Sequence, residues 1–210
     1  MRMFLTLLLL TSPAYAQSVR QSGFDYYVMS LSWTPTWCAL KGDARQSPQC
    51  GAGRGFGFTL HGLWPQYSTG GYPQYCHTTE RGPSRQITNR MADIMGTSGL
   101  AWYQWKKHGI CSGLSVTDYY ALARRAYKSV KRPTLFRKLK TDITLPASVV
   151  EAAFLEANPD IRQNQITITC KAHKIQEVRI CLSKDLEYIK CGTDVVQDCT
   201  LRNAEMGKMR

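Results

Sequence analysis

The alternation of apolar and polar positions changes period twice along the chain. FDYYVMSLSW, residues 24–33, is rich in aromatic and β-branched residues and predicts a strand leading into a turn at Pro35. GAGRGFGFTLHGLW then passes from a glycine-rich loop into a second strand, expected to end near His61 before the chain turns at Trp64-Pro65. Residues 68–83 have the Gly, Pro, Ser and Thr content of a loop. Helical spacing follows. Ser84 caps a predicted helix carrying Ile87, Met91, Ile94 and Met95 and ended by Gly96, and a second is predicted from Leu100 to about His108, stopped by Gly109. TDYYALARRAYKSVK places Tyr119, Leu122, Ala123, Ala126 and Val130 on one face until Pro133. PASVVEAAFLEA opens on a proline suited to a first helical turn and stops at Asn158-Pro159. In the last third QITITC and KIQEVRICL alternate in period two, and LEYIKC is expected to add a strand. Strands first, helices in the middle and strands last predict an α+β domain, a central mainly antiparallel sheet flanked by helices.

Composition narrows the setting. MRMFLTLLLLTSPAYA, residues 1–16, combines one positive charge, a short apolar run and small residues at Ala14 and Ala16, the pattern of a signal peptide cleaved before Gln17. No later stretch approaches ~20 apolar residues, so no membrane anchor is expected. Residues 17–210 suit a single domain. Eight cysteines in an exported chain predict disulfides, and neither C-x-x-C nor a metal-like histidine spacing is present, so no metal site is expected. The glycines before Phe58 do not match G-x-G-x-x-G, which removes a dinucleotide-binding loop. The net charge of +12 becomes +11 without Arg2, and a surplus of that size favours a polyanionic partner.

Only four histidines are present, and two sit in informative stretches. His61 interrupts the apolar run FTLHGLWPQ, and His108 follows two lysines in WYQWKKHGIC. Two imidazoles on separate elements, one beside Lys107, suit general acid-base cleavage of a phosphodiester. RNA permits this without a metal, because its 2'-hydroxyl is a tethered nucleophile that needs only deprotonation and alignment. An ordinary imidazole near neutrality can act as either acid or base, and a lysine stabilises the charge building on the phosphate. DNA lacks the internal nucleophile.

HGLWP at 61–65 and QWKKHGIC at 104–111 resemble the two active-site segments of the ribonuclease T2 family, and FDYYVMSLSWTPTWC resembles its opening strand in bacterial form. The resemblance implies a ribonuclease T2-like, disulfide-stapled fold. It implies His108 as the base, His61 as the acid, Lys107 on the phosphate, and Trp64 as a platform for the base upstream of the cut. Gln104 stands where the family usually has glutamate and is expected to keep a hydrogen bond to the phosphate. Tyr103, often histidine there, is counted with Trp64 among the substrate-binding residues. Ile110 replaces a threonine, and Ser32 replaces a glutamine of many plant members. The implied reaction cleaves single-stranded RNA to a 2',3'-cyclic phosphate and then a 3'-phosphate, with low base specificity and no cofactor. The protein is expected to be a secreted or periplasmic monomer. The alternative is an RNA-binding protein of the same fold with weakened catalysis. His77 and His173 are taken as bystanders and Trp105 as core. Eight cysteines alone allow roughly a hundred pairings. The resemblance narrows these to Cys170 with Cys199, Cys181 with Cys191 and Cys76 with Cys111, leaving Cys38 for Cys50.

Overall fold

A computed structural model describes residues 23–210; the expected leader, residues 1–16, lies outside them. Six strands, β1 (Tyr26–Trp33), β2 (Phe58–Gln66), β3 (Ile143–Leu145), β4 (Ile166–Lys171), β5 (Lys174–Leu182) and β6 (Ala204–Met206), form one sheet. The helices are α1 (Thr34–Trp37), α2 (Arg85–Asn89), α3 (Ala92–Met95), α4 (Ser98–Lys107), α5 (Val116–Ser129) and α6 (Ala147–Ala157), with several single helical turns between them. The sheet runs β2-β1-β5-β6-β3, with β4 also on β5, and every pairing is antiparallel except the short β5–β6 contact. The expected α+β architecture is what forms.

Period two divides the central strands into two faces. Tyr27, Met29, Leu31 and Trp33 of β1, with Val178, Ile180 and Leu182 of β5, point into the main core against the helices. Trp33, Phe58, Phe136 and Phe154 meet there at tilted or edge-on ring angles, which exploit the ring quadrupoles at about 0.5–1.5 kcal/mol per pair. The opposite face carries Val28, Ser30 and Ser32 of β1, in register with Cys181, Arg179 and Glu177 of β5. That face becomes the floor of the candidate site.

The pairing of β1 with β2 slips by one residue at a bulge. Ser30 faces Gly62 and Leu31 faces Leu60, so His61 is the extra residue. Without the bulge, His61 and Trp64 would fall on opposite faces. With it, Leu60 and Leu63 both enter the core while His61 and Trp64 share the other face. The expected strand end at His61 is therefore corrected: β2 continues through Trp64 and Pro65 to Gln66. Pro65 is tolerated because β2 is an edge strand and needs no outward N–H partner.

Other expectations shift locally. Ser84 does cap a helix, its hydroxyl accepting from the Ile87 N–H, and Gly96 closes the region at φ +84°. Between them the helix breaks at Arg90–Met91 into α2 and α3. α4 starts earlier than the Leu100 expectation because Thr97 accepts from the Leu100 N–H as N-cap. Gly109 is not a left-handed stop. A Cβ there would lie 2.6 Å from the Trp105 ring and 2.8 Å from the Tyr119 ring, so this glycine permits close packing. Pro146 precedes α6 as its N-cap rather than entering the first turn. The strand expected over LEYIKC reduces to one bridge, Leu182 with Tyr188. Four disulfides join Cys38–Cys50, Cys76–Cys111, Cys170–Cys199 and Cys181–Cys191, the pairing the resemblance implied. Among the described residues no helix is long and apolar enough to cross a membrane.

Candidate active site

One cleft of about 400 Å³ is lined by the bulged strand β2, the C-terminal end of α4 and the non-core face of β1 and β5, together with Tyr72 and the 194–197 segment. His61, Trp64, Tyr103, Gln104, Lys107 and His108, all six residues singled out from the sequence, line it. His77 and His173 do not. His173 occupies the β4–β5 turn at φ +60°.

His108 follows the last turn of α4, donating its backbone N–H to Gln104 O at 2.9 Å, and its φ of −122° takes the side chain off the helical path. His108 is 4% exposed, and burial, with the charges of Lys107 and His61, lowers its pKa from 6.5 to about 3. This imidazole is neutral at ordinary pH. Its Nδ1 is buried with no hydrogen-bond partner, which typically costs about 1–3 kcal/mol. Lys107 sits on the last turn of α4, where the helix dipole favours a cation, with Nζ 5.6 Å from the centre of the Tyr72 ring.

His61 stands across the cleft. Its Nδ1 lies 2.5 Å from Glu177 Oε1, while Arg179 donates to Glu177 Oε2 through Nε at 3.0 Å and Nη2 at 2.9 Å. Glu177 is 2% exposed. Burial pushes its carboxyl up, but the His61 contact and the Arg179 guanidinium prevail and hold it at about 2. It is ionised wherever the protein is folded and useful.

Trp64 separates the two imidazoles. Its ring centre lies 5.2 Å from that of His61 and 5.4 Å from that of His108. The indole N–H donates to Gln104 Oε1 at 2.7 Å. An indole nitrogen can only donate, so the atom facing it is the amide oxygen and the NH₂ group is what Gln104 can offer elsewhere. Gly62 makes this contact possible, since a Cβ there would lie 2.3 Å from both Gln104 Oε1 and Trp64 Nε1. The glycine of HGLWP is thus a packing requirement of the site.

The rim comes from the 67–83 loop. Cys76–Cys111 and the bond from Tyr75 N–H to Lys107 O at 2.9 Å tie this loop to the end of α4. Tyr72 lies 5.5 Å from His108, ring centre to ring centre, and the hydroxyls of Tyr75 and Tyr103 are 3.3 Å apart. Tyr103 is 43% exposed at this edge. Sequence reasoning missed Tyr72, Glu177 and Arg179. The only trace of the last two was the polar phase of KIQEVRICL, which normally marks a solvent face.

Among the described residues one His, Cys, Asp or Glu cluster has metal-like spacing, Cys38, Asp43 and Cys50, and its two sulfurs are joined as a disulfide with no thiolate to offer.

A cleft with two imidazoles in distinct environments and a lysine over the Tyr72 ring can support acid-base chemistry on an anionic substrate. Comparison with known proteins agrees in class. The Ribonuclease T2 family profile matches residues 24–191. A ribonuclease of Aeromonas hydrophila is 34% identical over 196 residues, covering 90% of this chain and 84% of the relative. Among solved structures, trichomaglin, described as an S-like ribonuclease, superposes with a TM-score of 0.71 at 19% identity, covering 89% of this chain and 99% of that one. RNase NT, solved with 5'-AMP, gives 0.62 at 20% identity, with coverage of 86% and 97%. The chain belongs to the ribonuclease T2 family.

Proposed function

We propose that the protein is a metal-independent endoribonuclease that cleaves single-stranded RNA by transesterification. The observation that carries this reading is the pairing of opposite environments in one cleft: His108 is kept neutral by burial, while His61 is hydrogen-bonded to an ionised carboxylate. Neutral His108 takes the proton of the 2'-hydroxyl, and the 2'-oxygen attacks phosphorus. Protonated His61 gives its Nε2 proton to the departing 5'-oxygen as the P–O5' bond breaks, leaving a 2',3'-cyclic phosphate. In the second step the roles reverse: His61 takes a proton from water as the water oxygen attacks phosphorus, and His108 returns one to the 2'-oxygen as the P–O2' bond breaks, giving a 3'-phosphate. Lys107 stabilises the charge on the non-bridging oxygens, and the Gln104 amide NH₂ adds a donor.

Trp64 and Tyr72, with Tyr103 at the rim, offer stacking faces. Stacking tolerates any base, which supports low base specificity. The cleft is complete within one chain, which supports action as a monomer. The leader pattern at 1–16 and four disulfides support export of residues 17–210 as one domain to the periplasm or beyond. The test is a digest of mixed-sequence RNA in excess EDTA with product ends identified by mass. Cyclic-phosphate ends that disappear in His61→Phe and in His108→Phe are expected. Binding without cleavage would instead favour an RNA-binding protein that has lost turnover.

A further inference from the structure

Among the described residues Glu177 is the one carboxylate in the buried class. A carboxylate so placed is expensive unless it is paired and its remaining lone pairs are also satisfied. Here Arg179 engages Oε2, while Oε1 is turned to His61 Nδ1 and receives only a long 3.4 Å contact from Ser32 Oγ. Strand register makes the arrangement. Ser32 lies opposite Glu177 and Ser30 opposite Arg179, so two small side chains leave the space that the longer pair fills. The bulge in β2 then sets the imidazole against the free carboxylate oxygen.

We infer that Glu177, held in place by Arg179, is the positioning residue for His61, accepting its Nδ1–H so that Nε2 alone faces the scissile linkage. This rests on the reading of His61 as general acid. An ionised carboxylate can only accept, so it selects the ring state with hydrogen on Nδ1. In the protonated ring Nε2 then carries the proton to be donated. After donation the remaining neutral tautomer has its lone pair on Nε2, the state the second step requires. Gln104 carries no charge, so Glu177 is the ionised carboxylate that touches an imidazole of this site.

The experiment compares two substrates differing in leaving group. A dinucleoside phosphate expels an alkoxide that needs a proton; uridine 3'-(4-nitrophenyl phosphate) expels a phenolate that does not. On the dinucleoside phosphate, Glu177→Gln should lower kcat roughly 10-fold and Glu177→Ala roughly 100-fold, with KM changed less than about 2-fold. On the aryl ester both should fall less than about 3-fold, because acid catalysis contributes little there. His61→Phe should show the same selectivity, while His108→Phe should lose both activities. Equal losses on both substrates for the Glu177 variants, with His61→Phe still selective, would overturn the positioning role and leave the acid assignment intact. Equal losses for His61→Phe would overturn the acid assignment itself. Thermal melts accompany each variant. If the Glu177 variants do not fold, Arg179→Lys, which keeps a cation but loosens the two-point grip, should give the same selectivity at smaller amplitude, and a uniform loss would overturn the inference.

Discussion

His108 carries the sharpest quantitative consequence. Its burial and the neighbouring charges hold its pKa at about 3 rather than 6.5, so the ring is already neutral in mildly acidic solution, as the proposed role of base requires. The acidic limb of kcat/KM in the free enzyme should therefore fall near pH 3, not near 6.5. Gln104→Glu tests the cause. Residues 104 and 108 are one helical turn apart, and a carboxylate about 5 Å from the ring at an effective dielectric of about 20 attracts an imidazolium by roughly 3 kcal/mol, or about 2 pKa units. Glutamate keeps an oxygen for the Trp64 indole, so the site geometry survives. The limb should move up to about pH 5 in the variant. The assay is initial-rate cleavage of a dinucleoside phosphate from pH 2 to 8 at constant ionic strength, with tryptophan fluorescence reporting folding at each pH. A wild-type limb near 6.5 would refute the buried neutral base. A variant limb that does not move would remove Gln104 from contact with the reacting groups.

The same protonation equilibria govern stability. Both His108 and Glu177 bind protons more readily when unfolded. The stability from Glu177 is fully present above its ordinary value of 4.5 and is lost as pH falls through about 2; that linked to neutral His108 is present above 6.5 and is lost as pH falls through about 3. Urea midpoints should therefore drop steadily below pH 6.5, and less steeply in a His108→Phe variant. Gly62→Ala should displace Gln104 or Trp64, costing about 1–3 kcal/mol and at least roughly tenfold in kcat/KM, as measured by melts and rates together. Removing Cys76–Cys111 by paired serines frees the Tyr72 loop from α4; it should lower stability by about 3–4 kcal/mol and raise KM more than it lowers kcat. RNA affinity should fall steeply with added salt, since phosphate contacts release counterions; a flat response would argue against a charged cleft as the binding site.

Much of this molecule is legible in its sequence because the strongest signals are local. The aromatic and β-branched content of FDYYVMSLSW and the alternation in KIQEVRICL marked two strands, and the amphipathic spacing of Tyr119 to Val130 marked α5. Ser84 gave a helix start by its own cap chemistry. HGLWP and QWKKHGIC carried five of the six cleft residues by resemblance, and Tyr103 directly precedes the second segment. What stayed hidden depends on register. Nothing within FTLHGLW states that the strand bulges at His61, because a bulge is defined against the partner strand. Glu177 and Arg179 read as solvent-facing polar positions, and only pairing of β1 with β5 brings them under His61. Gly109 looked like a helix stop because glycine so often is one, whereas contact with Trp105 and Tyr119 explains it here. The short strands β3 and β6 rest on distant partners rather than on local periodicity.

On the proposed reading the attacking group is the substrate's own 2'-hydroxyl, deprotonated by one imidazole while the other protonates the departing 5'-oxygen, with no metal required. A DNA oligonucleotide containing one ribonucleotide, incubated in EDTA, tests it most directly. Cleavage should occur only on the 3' side of that ribonucleotide, leaving a 2',3'-cyclic phosphate, and should cease when its 2'-oxygen is methylated. Cutting between deoxynucleotides, or continued cutting at the methylated residue, would contradict the account.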